Sequence, residues 1–201
     1  MKKQVIIALA AVAAMASGSA FAFEGGDWVF KAGITNVDPE QDNGLDGALR
    51  IDDDTSVSLI GQWFFADAWS LELLASLPFE HEFTVDGGVG GSVQHLPPTL
   101  SVQYHFNTGG TVIPYIGLGA NWTTFFSTET YGDLAGADVK LDDSFGVAAQ
   151  AGIDYMFTDR LMMNLDLRYI QIESDVKVNG ADAGKAKINP VIYGINIGYK
   201  F

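Results

Sequence analysis

Apolar and polar residues alternate along this chain in eight stretches, with a period of two. Trp28, Phe30, Ala32 and Ile34 form the first run, Val57, Leu59, Gly61, Trp63 and Phe65 the second, and Trp69, Leu71, Leu73, Ala75 and Leu77 the third. Five more runs in the same every-second-residue register occupy 96–106, 116–126, 145–157, 161–169 and 191–201. Successive side chains of a strand point to opposite faces, so each run marks one face of one strand. None of the roughly 44 positions on these faces is charged, although 18% of the chain is. The opposite faces carry Lys31, Glu72, His95, His105, Asp154, Asp166, Arg168 and Lys200, with several Gln and Asn among them.

A soluble sandwich has the same alternation, so strand length and aromatic placement decide the class. The runs are about 9–13 residues long and carry Trp, Tyr and Phe at their ends, as strands crossing a lipid bilayer between aromatic girdles do. The connections alternate too: 66–68, 107–112 and 158–160 are short, whereas 37–54, 78–94, 127–143 and 174–187 are long. Short turns on one side and long loops on the other predict an eight-stranded antiparallel transmembrane β-barrel. Both termini then lie in the periplasm and the long loops outside the cell. Closure also satisfies every backbone donor and acceptor within lipid. Pro97 and Pro98 cannot both sit in a regular ladder. They predict either an interruption of the wall near the outer end of the fourth strand or a bulge above the membrane.

Composition narrows the function. Among 201 residues, 25 are Asp or Glu and 11 are Lys or Arg, a formal charge of −14 that argues against a nucleic-acid partner. The absence of cysteine removes disulfides and thiolate chemistry. Lys2 and Lys3, an apolar stretch over 5–16 and the Ala20-Phe21-Ala22 pattern predict an export signal at 1–22, leaving 23–201 as the barrel. On the inward faces, Ile60, Phe64, Leu74, Phe125, Ile170 and Ile192, together with Met156, Met162, Ile172 and Ile188, line either an apolar conduit or simply a filled barrel. Glu72, Asp154, Asp166, Arg168, Lys31 and Lys200 are expected to compensate one another as a plug toward the periplasmic half.

His81, His95 and His105 have no metal-ligand spacing and are read as isolated. Ser101 and His95 share the inward face about 20 Å apart, so no hydrolytic triad is expected and the chain is not read as an enzyme. Asp52-Asp53-Asp54 and Asp142-Asp143 could bridge divalent cations to lipopolysaccharide, but a solvated loop surface is the preferred reading. No metal site and no cofactor are expected.

Several stretches resemble the OmpW family of small outer-membrane proteins. They include 73–81 (LLASLPFEH), 95–99 (HLPPT), 114–119 (PYIGLG), 121–126 (NWTTFF), 143–146 (DSFG), 152–155 (GIDY) and the closing 198–201 (GYKF). The resemblance implies a narrow hydrophobic channel for small apolar molecules, with an exit through the wall. It implies that Leu74 narrows the channel; Arg168 stands where the family has a Trp, which suggests a charged latch there. Tyr199 and the final Phe201 resemble the signal read by the barrel-insertion machinery. The expected function is passive uptake of small hydrophobic ligands by a monomer in contact with outer-membrane lipid and lipopolysaccharide. The alternative is a structural or adhesive barrel whose loops bind.

Overall fold

The computed structural model describes residues 22–40, 49–107 and 109–201, so the export signal expected at 1–22 lies, apart from Ala22, outside the described residues. Its strands are β1 (Trp28–Asp38), β2 (Leu49–Ile51), β3 (Asp54–Ala66), β4 (Trp69–Ser76), β5 (Phe79–Val85), β6 (Gly88–Leu96), β7 (Thr99–His105), β8 (Val112–Thr130), β9 (Val139–Leu141), β10 (Ser144–Met156), β11 (Leu161–Ile170), β12 (Glu173–Val178), β13 (Ala181–Lys187) and β14 (Val191–Lys200). Eight of them close a barrel. In the order β1, β3, β4, β7, β8, β10, β11 and β14, each pairs antiparallel with the next, and β14 pairs with β1.

The alternation decides which way each side chain points. Ile34 stands between Val57 of β3 and Ile195 of β14, and all three are exposed. Such residues form an outer belt that only lipid can cover. At one end the belt is bounded by Trp28, Trp63, Trp69, Tyr155 and Tyr199, and at the other by Trp122 stacked on Phe145 (5.8 Å, 1°). The ten residue-to-residue steps of β8 from Val112 to Trp122 rise about 33 Å along the strand. That is about 25 Å along the axis at the usual tilt, the height of a membrane barrel's apolar band. The Phe201 amide donates to the Trp28 carbonyl (2.8 Å), so the described chain begins and ends at the same side of the belt.

The long connections are not featureless loops, which corrects the sequence reading. β2 pairs with β5, β5 with β6 and β6 with the upper part of β8, while β9, β12 and β13 form a separate three-stranded sheet. Two tight turns make this possible. Asp86-Gly87 (φ +52°, +79°) joins β5 to β6, and Asn179-Gly180 (φ +52°, +80°) joins β12 to β13. Both central residues have positive φ, the conformation that matches a hairpin's twist and that Asp-Gly and Asn-Gly adopt readily. These strands bury Phe83, Val93, Val139 and Val176 against one another above the membrane, while Phe79 packs with Val37, Ile170 and Ile172.

Candidate functional site

The lumen has three levels. At the periplasmic end, Phe23 stacks on Phe64 (4.3 Å, 16°) among Val29, Ile113, Met156 and Met162. Phe64 therefore belongs to the floor, at the far end of the barrel from Phe125.

Above the floor lies a polar plug. Arg168 Nη2 reaches Glu72 Oε1 (2.8 Å) and Asp166 Oδ1 (3.1 Å), and Lys31 Nζ reaches Asp154 Oδ1 (3.3 Å). The Tyr115 hydroxyl donates to Asp166 Oδ2 (2.7 Å), and Asn164 Nδ2 donates to Tyr115 Oη (3.0 Å) and Asp154 Oδ1 (2.9 Å). Glu72 is on β4 and Arg168 on β11, which are four strands apart in a ring of eight, so this ion pair crosses the full lumen. Charges so buried are tolerable only when paired and hydrogen-bonded; members of the network from five strands give each charge here an opposite one, although Glu72 Oε2, Asp154 Oδ2 and Arg168 Nη1 have no hydrogen-bond partner among the described residues. Space for it comes from Gly152: a Cβ there would collide with the Tyr115 hydroxyl. Lys200 is not a member, contrary to the sequence reading. It sits at the end of its strand, where its Nζ pairs with Asp27 (3.2 Å) at the periplasmic rim.

The plug also contains a Ser, His and Asp that the search from sequence missed. His105 Nε2 lies 3.3 Å from Ser70 Oγ, and its Nδ1 lies 3.6 Å from Asp154 Oδ2. Gln62 Nε2 donates to the same His105 Nε2 (2.8 Å), and Ser70 gives its own proton to Gln103 Oε1 (3.3 Å). All three side chains are fully buried between floor and plug, so the set has neither a free hydroxyl nor access for a substrate. Ser101 and His95, considered from sequence, do not meet.

One inward step above the plug, β3, β4, β10 and β11 turn apolar at the same height, whereas β7 and β8 keep buried Thr99 and Asn121 there. Gln62 pairs across from Glu72 and Ile60 from Leu74; Gln150 pairs across from Arg168 and Ala148 from Ile170. Ile60 and Leu74 are buried, as are Val37, Phe79, Ile170, Ile172, Ile188 and Ile192, with Ile51 and half-buried Phe125 packed against them. Farther out, Ile51 and Phe125 also touch the outer cluster. There a cavity of about 200 Å³ is lined by twelve residues, all Leu, Ile, Phe, Val or Ala, among them Leu49, Phe83, Val93 and Val176.

The wall is broken in two places. Pairing of β4 with β7 stops at Leu74–Thr99, and β5 with β6 resumes at Phe79–His95, so 75–78 and 96–98 share no ladder; Pro97 and Pro98 lie in this break. On its other side Pro98 stays attached, since the Trp122 amide donates to its carbonyl (3.1 Å). The second break was not read from sequence. β8 and β10 part above Thr123–Ser144, leaving a cleft of about 440 Å³ bordered by Phe125, Phe126, Lys140 and Leu141.

His81 and His95 are not isolated, which corrects another expectation. Their rings stack at 4.9 Å (23°), flanked by Phe79 (5.6 Å from His95) and Phe125 (5.8 Å from His95). Burial pushes His95 down to about 3, and neighbouring His81 acts in the same direction. Burial lowers His81 as well, opposed by its bond to the Asp52 carbonyl and by the charges of Asp54, Asp53 and Asp52. Asp52–Asp54 and Asp142–Asp143 lie in the outer extension, where Asp142 pairs with Lys177 (2.7 Å). Among the described residues no group of three or more His, Asp or Glu is placed to hold a metal. Tyr199 and Phe201 are exposed at the lower edge of the belt, 4.9 Å apart.

A profile of the OmpW family matches residues 24–201. Outer membrane protein W of Vibrio cholerae is 39% identical over 99% of this chain and 100% of its own, and that of Escherichia coli K12 is 35% identical over 100% of both. The crystal structure of the outer membrane protein OprG from Pseudomonas aeruginosa superposes with a TM-score of 0.79 at 33% identity, covering 92% of this chain and 99% of that one. The girdled barrel, its apolar upper lumen and these full-length likenesses agree: the chain belongs to the OmpW family and is a β-barrel of the bacterial outer membrane.

Proposed function

We propose that the protein is a passive channel through which small hydrophobic molecules cross the outer membrane. The observation that carries this reading is the level boundary in the lumen, where Ile60, Leu74, Ala148 and Ile170 replace Gln62, Glu72, Gln150 and Arg168 in a single inward step. A molecule entering from outside meets largely apolar surface as far as Leu74, interrupted by the rings of His81 and His95 and, beside Leu74, by Thr99 and Asn121; transfer from water is favourable in proportion to the apolar area buried. Below Leu74 the Arg168–Glu72 pair would have to be parted in a low-dielectric site, which is unfavourable by several kcal/mol, of the order of 3–5. The way out is therefore sideways, through the break beside Leu74 and Thr99 that Pro97 and Pro98 interrupt, into the lipid. No cofactor or energy coupling is needed, and a single barrel suffices. The role is a channel's rather than an enzyme's.

The remaining parts fit export and insertion. Residues 1–22 serve as the export signal, and Tyr199 and Phe201 offer exposed aromatics at the carboxyl end for the barrel-insertion machinery. The outer face meets lipopolysaccharide. The ordered sheet of β9, β12 and β13 outside the membrane favours one second reading, a barrel whose outer surface binds other molecules.

Uptake of a small apolar reporter by cells with and without the protein separates the two readings. Faster uptake with the wild type, lost in Leu74→Arg while the barrel still inserts, is the expected result. Equal uptake with and without an inserted barrel would overturn the channel and leave the outer sheets as the functional surface.

A further inference from the structure

We propose that His81 and His95 form a hydrogen-bonding station within the apolar funnel, selecting neutral planar ligands that carry a hydroxyl group over ligands that are purely hydrocarbon. This rests on the channel reading and deepens it by naming the ligand's chemical class.

Register places the two rings in the path. On the inner sides of β5 and β6, Phe79 pairs across from His95, His81 from Val93, and Phe83 from Gly91; on β8, Phe125 pairs across from His95. The row Phe125–His95–Phe79 belongs to the lower apolar level through Phe79, and Val93 and Phe83 line the outer cavity. The histidines thus stand between the cavity and the funnel, and both are almost wholly buried, at 2% and 1% exposure.

Their nitrogens show what is required of a ligand. His81 Nδ1 lies 2.6 Å from the Asp52 carbonyl oxygen, which can only accept, so Nδ1 carries the proton. In a neutral ring Nε2 is then a bare acceptor, and it has no hydrogen-bond partner among the described residues. His95 brings one donor and one acceptor, and neither Nδ1 nor Nε2 has a partner. Three buried, unpaired polar atoms in apolar surroundings are unfavourable, and a ligand that pairs with them removes that cost. Burial keeps both rings neutral, so each retains an acceptor.

The surroundings define the rest of the ligand. The rings of Phe79, His81 and His95 stack on one another within 26° of parallel, an arrangement that a planar aromatic body can join. The charges of Asp52 and Asp53, in the link after β2, and of Asp54, at the start of β3, act on His81 and disfavour a carboxylate head. A hydroxyl both donates and accepts, and so answers His81 Nε2 and either nitrogen of His95.

Binding of p-xylene and p-cresol, which differ by one methyl for one hydroxyl, tests this on the full barrel in nanodiscs, with empty nanodiscs correcting for partition. The expected result is a cresol preference about tenfold larger in the wild type than in His81→Phe/His95→Phe, the worth of one buried hydrogen bond, with xylene binding retained. An equal preference in both proteins overturns the station while leaving the channel reading intact; failure of the wild type to bind either compound overturns both. Imidazole ¹⁵N spectra of the unaltered chain give a second measurement. The Nε2 signal of His81 should move with cresol and not with xylene, and no movement with cresol would overturn the proposal.

Discussion

The lower lumen is lined by the eight barrel strands, whereas the upper lumen passes from those strands to the outer ones, β2, β5, β6, β9, β12 and β13, which line its cavity. Below the boundary, two cations, three carboxylates and a set of amides and hydroxyls hold one another in fixed geometry across the barrel axis. Above it, aliphatic and aromatic side chains pack around a cavity, with directional groups confined to His81, His95 and the Thr99–Asn121–Thr123 side. A hydrogen-bonded network specifies one arrangement and resists displacement; an apolar lining accepts many shapes because the hydrophobic effect has no direction. On the proposed reading, the contrast separates a seal from a binding surface within one barrel.

Arg168 and Ile170 are adjacent inward positions of β11, one on each side of the boundary, and changing each probes its own half. Arg168→Ala leaves Glu72 buried without its cation and should cost about 3–5 kcal/mol of stability, measured by denaturant unfolding of the folded barrel. It should also raise single-channel conductance by opening the axis. Removing Glu72 as well, in Arg168→Ala/Glu72→Ala, should recover much of the loss and keep the raised conductance. Ile170→Ala should cost about 2–4 kcal/mol through the cavity it leaves with conductance unchanged, since the seal lies below it. If the two single variants raised conductance alike, the boundary would not be functional.

A smaller effect separates the outer hairpin from the barrel. His95 is held at about 3 in the folded chain against an ordinary 6.5, and His81 is also lowered. Between these values the unfolded hairpin binds more protons than the folded one, so its stability is full above about pH 6.5 and is lost as pH falls toward about 3. Amide exchange in β5 and β6 should therefore accelerate between pH 7 and pH 4.5 relative to β1 and β14, once intrinsic rates are allowed for. Parallel behaviour of the hairpin and the barrel would contradict this.

The barrel was legible in the sequence because lipid imposes a strict rule: every outward position from Trp28 to Phe201 must be uncharged, and that alternation survives without knowledge of neighbours. The plug was partly legible, since Glu72, Asp154, Asp166 and Arg168 fall on inward positions. Alternation assigned Lys200 to the plug as well, but a strand's last residue can turn to the rim. The extracellular strands were missed although their signals were present. Asp86-Gly87 and Asn179-Gly180 are hairpin dipeptides, and Phe79, His81 and Phe83 alternate with Glu80 and Glu82. The pairing of His81 with His95 was beyond sequence spacing, because it depends on the register of that hairpin and on the irregularity between Phe83 and Thr84. Ser70, His105 and Asp154 come from three strands and meet only because the barrel closes.

The most direct test of the central claim compares two fluxes through one preparation of the protein in lipid vesicles: entry of a small apolar reporter and conductance of ions. A funnel that ends at a charged seal and empties sideways predicts reporter entry that depends on the protein, with ion conductance that rises only when Arg168 is removed. Ready ion conductance in the wild type without protein-dependent entry of the reporter would contradict it, and would make the barrel an axial aqueous pore.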